Sequence, residues 1–84
     1  MRVTLGVENG TIREATYETY QCPGCVACGR AIVAMAVGRT LDGARGIRHD
    51  DLVARVGALP RYRQICYGLT LLALAEALNQ IASA

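Results

Sequence analysis

Residues 2–20 read Arg2-Val3-Thr4-Leu5-Gly6-Val7-Glu8-Asn9-Gly10-Thr11-Ile12-Arg13-Glu14-Ala15-Thr16-Tyr17-Glu18-Thr19-Tyr20, and this stretch decides the fold class. Two runs, 2–7 and 11–20, alternate apolar or β-branched residues with polar ones, the period-two pattern of strands with one buried face. Between them Asn9-Gly10 follows Glu8, and Asn-Gly accepts the positive φ angles that a tight hairpin demands. In the second run Ile12, Ala15 and Tyr17 depart from strict alternation, a break that a β-bulge would absorb.

Downstream the pattern turns helical. The segment Gln21-Cys22-Pro23-Gly24-Cys25-Val26-Ala27-Cys28-Gly29 follows at once, and its Pro and Gly mark a loop. Arg30 to Val37 then predicts a short apolar helix closed by Gly38. Thr40-Leu41-Asp42 predicts the start of a brief helical turn. Asp50 and Asp51 read as caps leading into Leu52–Val56, where the helix dipole favours carboxylates, and Gly57 ends that element. Leu59-Pro60 opens the longest helix, from about Arg63 to Ser83. No repeat, low-complexity run or linker interrupts residues 1–84, so one domain is expected. Its fold is expected to be α+β: a small antiparallel sheet made by the N-terminal hairpin, with helices packed on one face.

A chain of 84 residues is near the size where one hydrophobic core only just suffices, which favours support from a metal or a partner surface. With 52% hydrophobic residues and a net charge of +2, disorder is excluded and nucleic acid is not implied. All nine basic residues are Arg, which rules out Lys-based Schiff-base chemistry. Arg61 and Arg63 flank Tyr62 with no nucleic-acid motif around them, and read as a solvated loop or a protein interface. The N-terminus becomes polar too soon for a secretion signal. Ile65 to Ala84 is apolar but interrupted by Glu76, Asn79 and Gln80, whereas a membrane span needs about 20 apolar residues. A cytoplasmic, membrane-free chain is therefore expected. Leu69, Leu71, Leu72, Leu74 and Leu78 point in several directions on the last helix. A helix apolar nearly all round is buried nearly all round, which predicts a protein partner or a homo-oligomer through it.

The chemistry lies with the four cysteines. In a reducing compartment they point to metal or redox chemistry rather than structural disulfides. Cys22-x2-Cys25-x2-Cys28 places three thiolates in one tight loop, with the distant Cys66 able to close the site. That pattern suits an iron–sulfur cluster and zinc alike, and the spacing does not choose between them. Pro23 and Gly24 would keep the loop open so that backbone amides turn toward the sulfurs. Cys66 lies near the start of the last helix, where the dipole would favour its thiolate. Against this stands the plain alternative that some of these cysteines are small buried hydrophobes. A thiol redox enzyme using Cys22-Pro23-Gly24-Cys25 would need a βαβ context, which is missing. His49, the single histidine, reads as a surface residue beside Asp50 and Asp51. No Ser–His–Asp arrangement or phosphate loop can be assembled, and no catalytic residue is expected.

Taken in order, these pieces resemble the IscU/NifU-type iron–sulfur scaffold family. Met1–Val7 is similar to that family's first long strand. Gly10 to Cys22 is similar to the next strand, which runs into a ligand cysteine. Gly38-Arg39-Thr40-Leu41-Asp42 resembles its Gly-Lys-Ser/Thr-Leu-Asp element, and Ile47 to Leu52 its Ile-x-Asn-x-Asp-Ile stretch. Leu59-Pro60 through Cys66 keeps the spacing of its Leu-Pro-Pro-Val-Lys-x-His-Cys segment. The resemblance covers the C-terminal two-thirds of the family pattern and implies a SufE/NifU-like fold. It carries ligand roles onto Cys22 and Cys66 alone, and implies a cysteine desulfurase or a client iron–sulfur protein as partner.

The departures carry expectations too. The family's N-terminal helix and its Pro-x-Cys-Gly-Asp loop, with the first ligand cysteine and an aspartate tied to cluster lability, lie before the start of the pattern seen here. Ile65 stands where the family has His. Pro60-Arg61-Tyr62-Arg63 replaces the chaperone-read Pro-Pro-Val-Lys, so chaperone docking is not expected. Cys25 and Cys28 are additional thiols that could stand in for a lost ligand and complete a four-Cys site. Such a site is expected to hold its cluster rather than pass it on. The reading is thus iron–sulfur cluster binding ([2Fe-2S] or [4Fe-4S], alternatively zinc) by Cys22, Cys25, Cys28 and Cys66. The protein would be a scaffold-like assembly protein or a cluster-bearing accessory subunit. The alternative is a structural subunit of a larger complex with zinc-bound or metal-free cysteines.

Overall fold

A computed structural model describes residues 1–19 and 22–82 of the chain. Strands β1 (Arg2–Glu8) and β2 (Thr11–Glu18) pair antiparallel. Asn9 (φ 55°) and Gly10 (φ 77°) join them. Two successive positive φ values give a hairpin turn whose twist matches that of the strands, and glycine adopts one of them without a Cβ clash. The register shifts after Gly6: Gly6 pairs with Glu14 but Val7 with Ile12, leaving Arg13 as the extra residue. This bulge explains the broken alternation. It lets Ile12, Ala15 and Tyr17 all pack toward the core, with Ile12 fully buried. The strand expected to reach Tyr20 ends at Glu18, and Tyr20 itself lies outside the described residues.

Helix α1 (Pro23–Ala36) begins at Pro23, not at Arg30. The segment expected to be a loop is the helix's own first turn. Cys22, in extended conformation, is the N-cap, and Pro23 takes the opening position. There a missing N–H costs nothing, and the fixed φ of proline is already helical. After α1 the backbone is sewn to the hairpin: Gly38 N–H donates to the Ile12 carbonyl, and Ile12 N–H to that of Arg39, both at 2.8 Å.

The brief helix α2 (Leu41–Arg45) is capped by Thr40, whose Oγ1 accepts from Gly43 N–H at 3.0 Å. Helix α3 (His49–Val56) opens on Arg48, whose N–H donates to the Asp51 carboxylate at 2.8 Å, so Asp51 is a cap as expected. A 3-10 turn over Arg61–Arg63 leads into helix α4 (Ile65–Ala82). Ser83, the expected end of that helix, lies outside the described residues.

Helix α1 lies against β2 and α4 against β1, side by side, and α3 packs against both helices. Ile12, Ile32, Leu52, Tyr67 and Leu78 fill the space between these layers and are almost wholly buried. Each such large apolar side chain contributes about 1.5–3 kcal/mol by leaving water. A Cβ on Gly29 would come within 2.5 Å of the Tyr17 ring, so glycine there is what lets the ring lie flat on α1. Tyr67 also ties the α3–α4 connection: its hydroxyl donates to the Gly57 carbonyl at 2.7 Å and accepts from Leu59 N–H at 3.0 Å.

Helix α4 was expected to be buried nearly all round, and in the chain taken alone it is buried on one face. Cys66, Tyr67, Thr70, Leu74 and Leu78 face the core. Ile65 is 68% exposed and Leu72 58%, with Leu69 between them in the same stripe. Two strands and three helices cover only one side of an 18-residue helix. Among the described residues no helix is long and apolar enough to cross a membrane.

Candidate metal centre

Two helix starts build the site. Cys22 stands before α1, Cys25 lies in its first turn, and Cys66 is the second residue of α4. Their sulfur atoms all lie within 4.8 Å of one another, and those of Cys25 and Cys66 are 3.0 Å apart. Gly24 permits this approach: a Cβ there would meet the Cys66 sulfur at 3.3 Å and Leu59 Cδ1 at 3.5 Å. The two helices thus touch where a side chain would hold them apart. All four cysteines are free thiols.

The fourth sequence candidate is not in this group. Cys28 is fully buried in the core. Once the segment is helical, Cys28 sits about 4.5 Å further along the axis than Cys25, because each residue adds about 1.5 Å. Burial raises its thiol pKa, with the Thr70 hydroxyl beside it pulling the other way. Among the described residues, Cys22, Cys25 and Cys66 are the group of three able to share one ion. His49 is apart from them. Its exposed ring meets Tyr67 edge-on at 4.9 Å between centroids, and its Nδ1 is 3.8 Å from Asp50.

The three thiols are electrostatically unequal. Cys22 is drawn down to about 7, chiefly by the backbone amide of Cys25, against a desolvation cost, with the Cys25 thiol, the Gly24 amide and the Arg63 charge adding to the effect. The backbone amides do serve a sulfur, as expected, but as the exposed start of a helix rather than an open loop. Cys66 goes the other way, to about 12, first because it is buried and then because the Cys25 thiol hydrogen-bonds to it and repels its charge, with Cys22 adding to both. The expectation that the start of α4 would favour the Cys66 thiolate is therefore corrected: desolvation outweighs the dipole. A cation entering the group would reverse this, since metal binding drives its thiol ligands to give up their protons.

Sequence reasoning missed one residue here and gave another a different role. Arg63, read as part of a solvated loop or interface, donates from Nη1 to the Cys22 sulfur. The signal was its position three residues before Cys66, one turn below a ligand candidate. Gly24, read as opening a loop, also lets the Cys66 sulfur come close, a role that appears only once two helices meet.

With this geometry in view, comparison with known proteins is decisive. The family model of the NifU-like N terminal domain matches residues 1–83. This chain belongs to that family. Among the relatives of this NifU-like domain, the iron-sulfur cluster assembly scaffold protein IscU 1 of Archaeoglobus fulgidus is 27% identical over 78 residues, covering 93% of this chain and 51% of that protein. The nitrogen fixation protein NifU of Cereibacter sphaeroides is 31% identical over 64 residues, 76% of this chain and 26% of its own length. The bifunctional protein NifU/MnmA of Rubrobacter xylanophilus is 37% identical over 59 residues, 68% of this chain and 12% of its own. The NifU-like chain thus spans about half the length, or less, of these curated relatives.

Proposed function

We propose that this NifU-like chain binds an iron–sulfur cluster during cluster assembly, and that Cys22, Cys25 and Cys66 are its protein ligands. The carrying observation is the convergence of three thiols, two of which occupy the positions that the family resemblance marks. Thiolates are the ligands that iron–sulfur clusters take. Cys25 supplies the third thiolate from the first turn of α1. Cys28 stays in the core as a small hydrophobe. The cluster is cargo: the chain orients three sulfurs, keeps Cys22 ready as an anion, and shields Cys66 from water. Either a [2Fe-2S] or a [4Fe-4S] cluster suits a thiolate set, and zinc is the competing ion.

One observation favours a partner as well. The stripe Ile65, Leu69 and Leu72 runs along α4 from a position next to Cys66 and is exposed. A protein docking there, a sulfur donor or a cluster recipient, would cover apolar surface and approach the ligands together. On this reading the chain serves as a scaffold or as a cluster-bearing subunit.

The test is anaerobic reconstitution with ferrous iron and sulfide, followed by metal and acid-labile sulfide analysis. Near-equal iron and sulfide are expected in the wild type and in Cys28→Ala, with loss of both in Cys25→Ser. Zinc alone in the purified protein, with no cluster on reconstitution, would sink the proposal in favour of a structural subunit.

A further inference from the structure

One face of α4 carries a pattern that the fold of the single chain does not use. Ile65, Leu69, Leu72 and Glu76 recur at helical spacing along that face, and all four are exposed. Gly68 lies on it too. Its φ is not left-handed, and a Cβ built there would meet nothing within 4 Å. Glycine inside a helix costs stability relative to alanine. Neither its own backbone nor a neighbour within the chain calls for it, which points to a close contact from outside.

Charge completes the pattern. Glu76 is the single charged residue of α4, and Arg61 opens the 3-10 turn that leads into the helix. Both are exposed, and neither forms an ion pair among the described residues. The order along this face is self-complementary about the point between Gly68 and Leu69. Moving outward from there in both directions, a gap at Gly68 is matched by the large side chain of Leu69, Ile65 by Leu72, and the cation Arg61 by the anion Glu76. In a two-fold interface residue i meets j and j meets i, so a surface suits itself when such opposites stand at mirrored positions. A partner of unrelated sequence requires no such symmetry.

We propose that the exposed face of α4 binds a second copy of this chain, the two helices running antiparallel about a two-fold axis between Gly68 and Leu69. Leu69 of each copy fills the space over the other's Gly68, Ile65 packs on the other's Leu72, and Arg61 pairs with the other's Glu76. Glu76 lies about 11 Å along the helix from that axis at about 1.5 Å per residue, and Arg61 about as far on the other side. The pairing goes beyond the cluster-binding reading and needs no metal. Its consequence for that reading is steric: Ile65 adjoins Cys66, so a sulfur donor or cluster recipient that uses the same stripe docks by parting the two copies.

The experiment measures the mass of the full-length, metal-free protein under reductant by sedimentation across a dilution series. A dimer that dissociates on dilution is expected. Arg61→Glu and Glu76→Arg should each weaken it about three- to tenfold, because each breaks two exposed ion pairs in the symmetric assembly. The double variant Arg61→Glu/Glu76→Arg restores opposite charges and should recover most of the wild-type association. Leu69→Asp should abolish the dimer, and Gly68→Gln, which fills the gap, should weaken it. Circular dichroism should show unchanged helix content in both, since each side chain is exposed in the single chain. Three results overturn the proposal: a monomer at every concentration up to about 1 mM, a dimer indifferent to both single charge reversals, or a double variant no tighter than the singles. With no metal present, any of these leaves the cluster-binding reading in place, and a failed reconstitution leaves the pairing in place.

Discussion

The starts of α1 and α4 meet at one site, yet their thiols lean in opposite directions. Cys22 is drawn down to about 7 and Cys66 pushed up to about 12. Both sit where a helix dipole favours an anion. What separates them is water. Cys22 is half-exposed and faces amides and the Arg63 guanidinium, whereas Cys66 is nearly sealed behind Gly24 with another sulfur against it. Taking an ion out of water costs several kcal/mol even after the protein relaxes, so burial decides at Cys66. At one end of the pair a ligand is ready before the metal arrives. At the other, the metal must displace a proton.

The largest break in this comparison comes from removing either sulfur. Cys22→Ser and Cys66→Ser should each lose retained metal, read by elemental analysis of protein purified without oxygen. Full metal content in either variant would mean that the site is elsewhere.

A graded test leaves both thiols in place and varies pH. Alkylation of the metal-free chain, mapped by mass spectrometry, should modify Cys22 with a midpoint near pH 7, while Cys66 stays unmodified to well above pH 9. The sign for stability follows from the same shifts. Cys22 is depressed below its unfolded value of 9.0, so its contribution is present above pH 9 and is lost as pH falls through about 7. Cys66 is raised above 9.0, so its contribution is complete below pH 9 and is lost as pH rises toward about 12. The melting temperature of the metal-free chain should therefore rise between pH 7 and 9 and fall above it. A monotonic profile across that range would contradict the assigned asymmetry.

The smallest effect is expected at His49→Ala, which removes an exposed ring set edge-on against Tyr67 and leaves the sulfurs untouched. Metal content should not change, and stability should fall by about 0.5–1.5 kcal/mol at most, the value of one aromatic edge contact. A loss of metal here would bring His49 into the site and end the two-helix picture.

The hairpin was legible because its signals are local. Asn9-Gly10 names its own turn, and the uneven spacing of Ile12, Ala15 and Tyr17 announces a bulge on that strand. The caps at Thr40 and Asp51 were legible for the same reason. Pro23-Gly24 misled, because the same pair serves a loop or the first turn of a helix, and only the N-cap geometry of Cys22 distinguishes them. Cys28, one turn beyond Cys25 on the same helix, is buried in the core and is not one of the three converging sulfurs. The reversal at Cys66 and the role of Arg63 depend on residues some forty positions apart coming together, which no local pattern contains.

Cys66 and Tyr67 are consecutive residues of one helical turn, and they face different duties. The first holds a sulfur to the site. The second fastens the strap at Gly57 and Leu59 that leads back to α3. Metal loading at Cys66 is therefore expected to be felt at the neighbouring phenol and at the strap it holds. In mechanical terms, such a coupling would make this turn of α4 a lever with the α3–α4 connection as its far arm. The check is amide hydrogen exchange at residues 57–59 with and without bound metal: a changed rate on loading is expected, and an unchanged one would show the two to be independent.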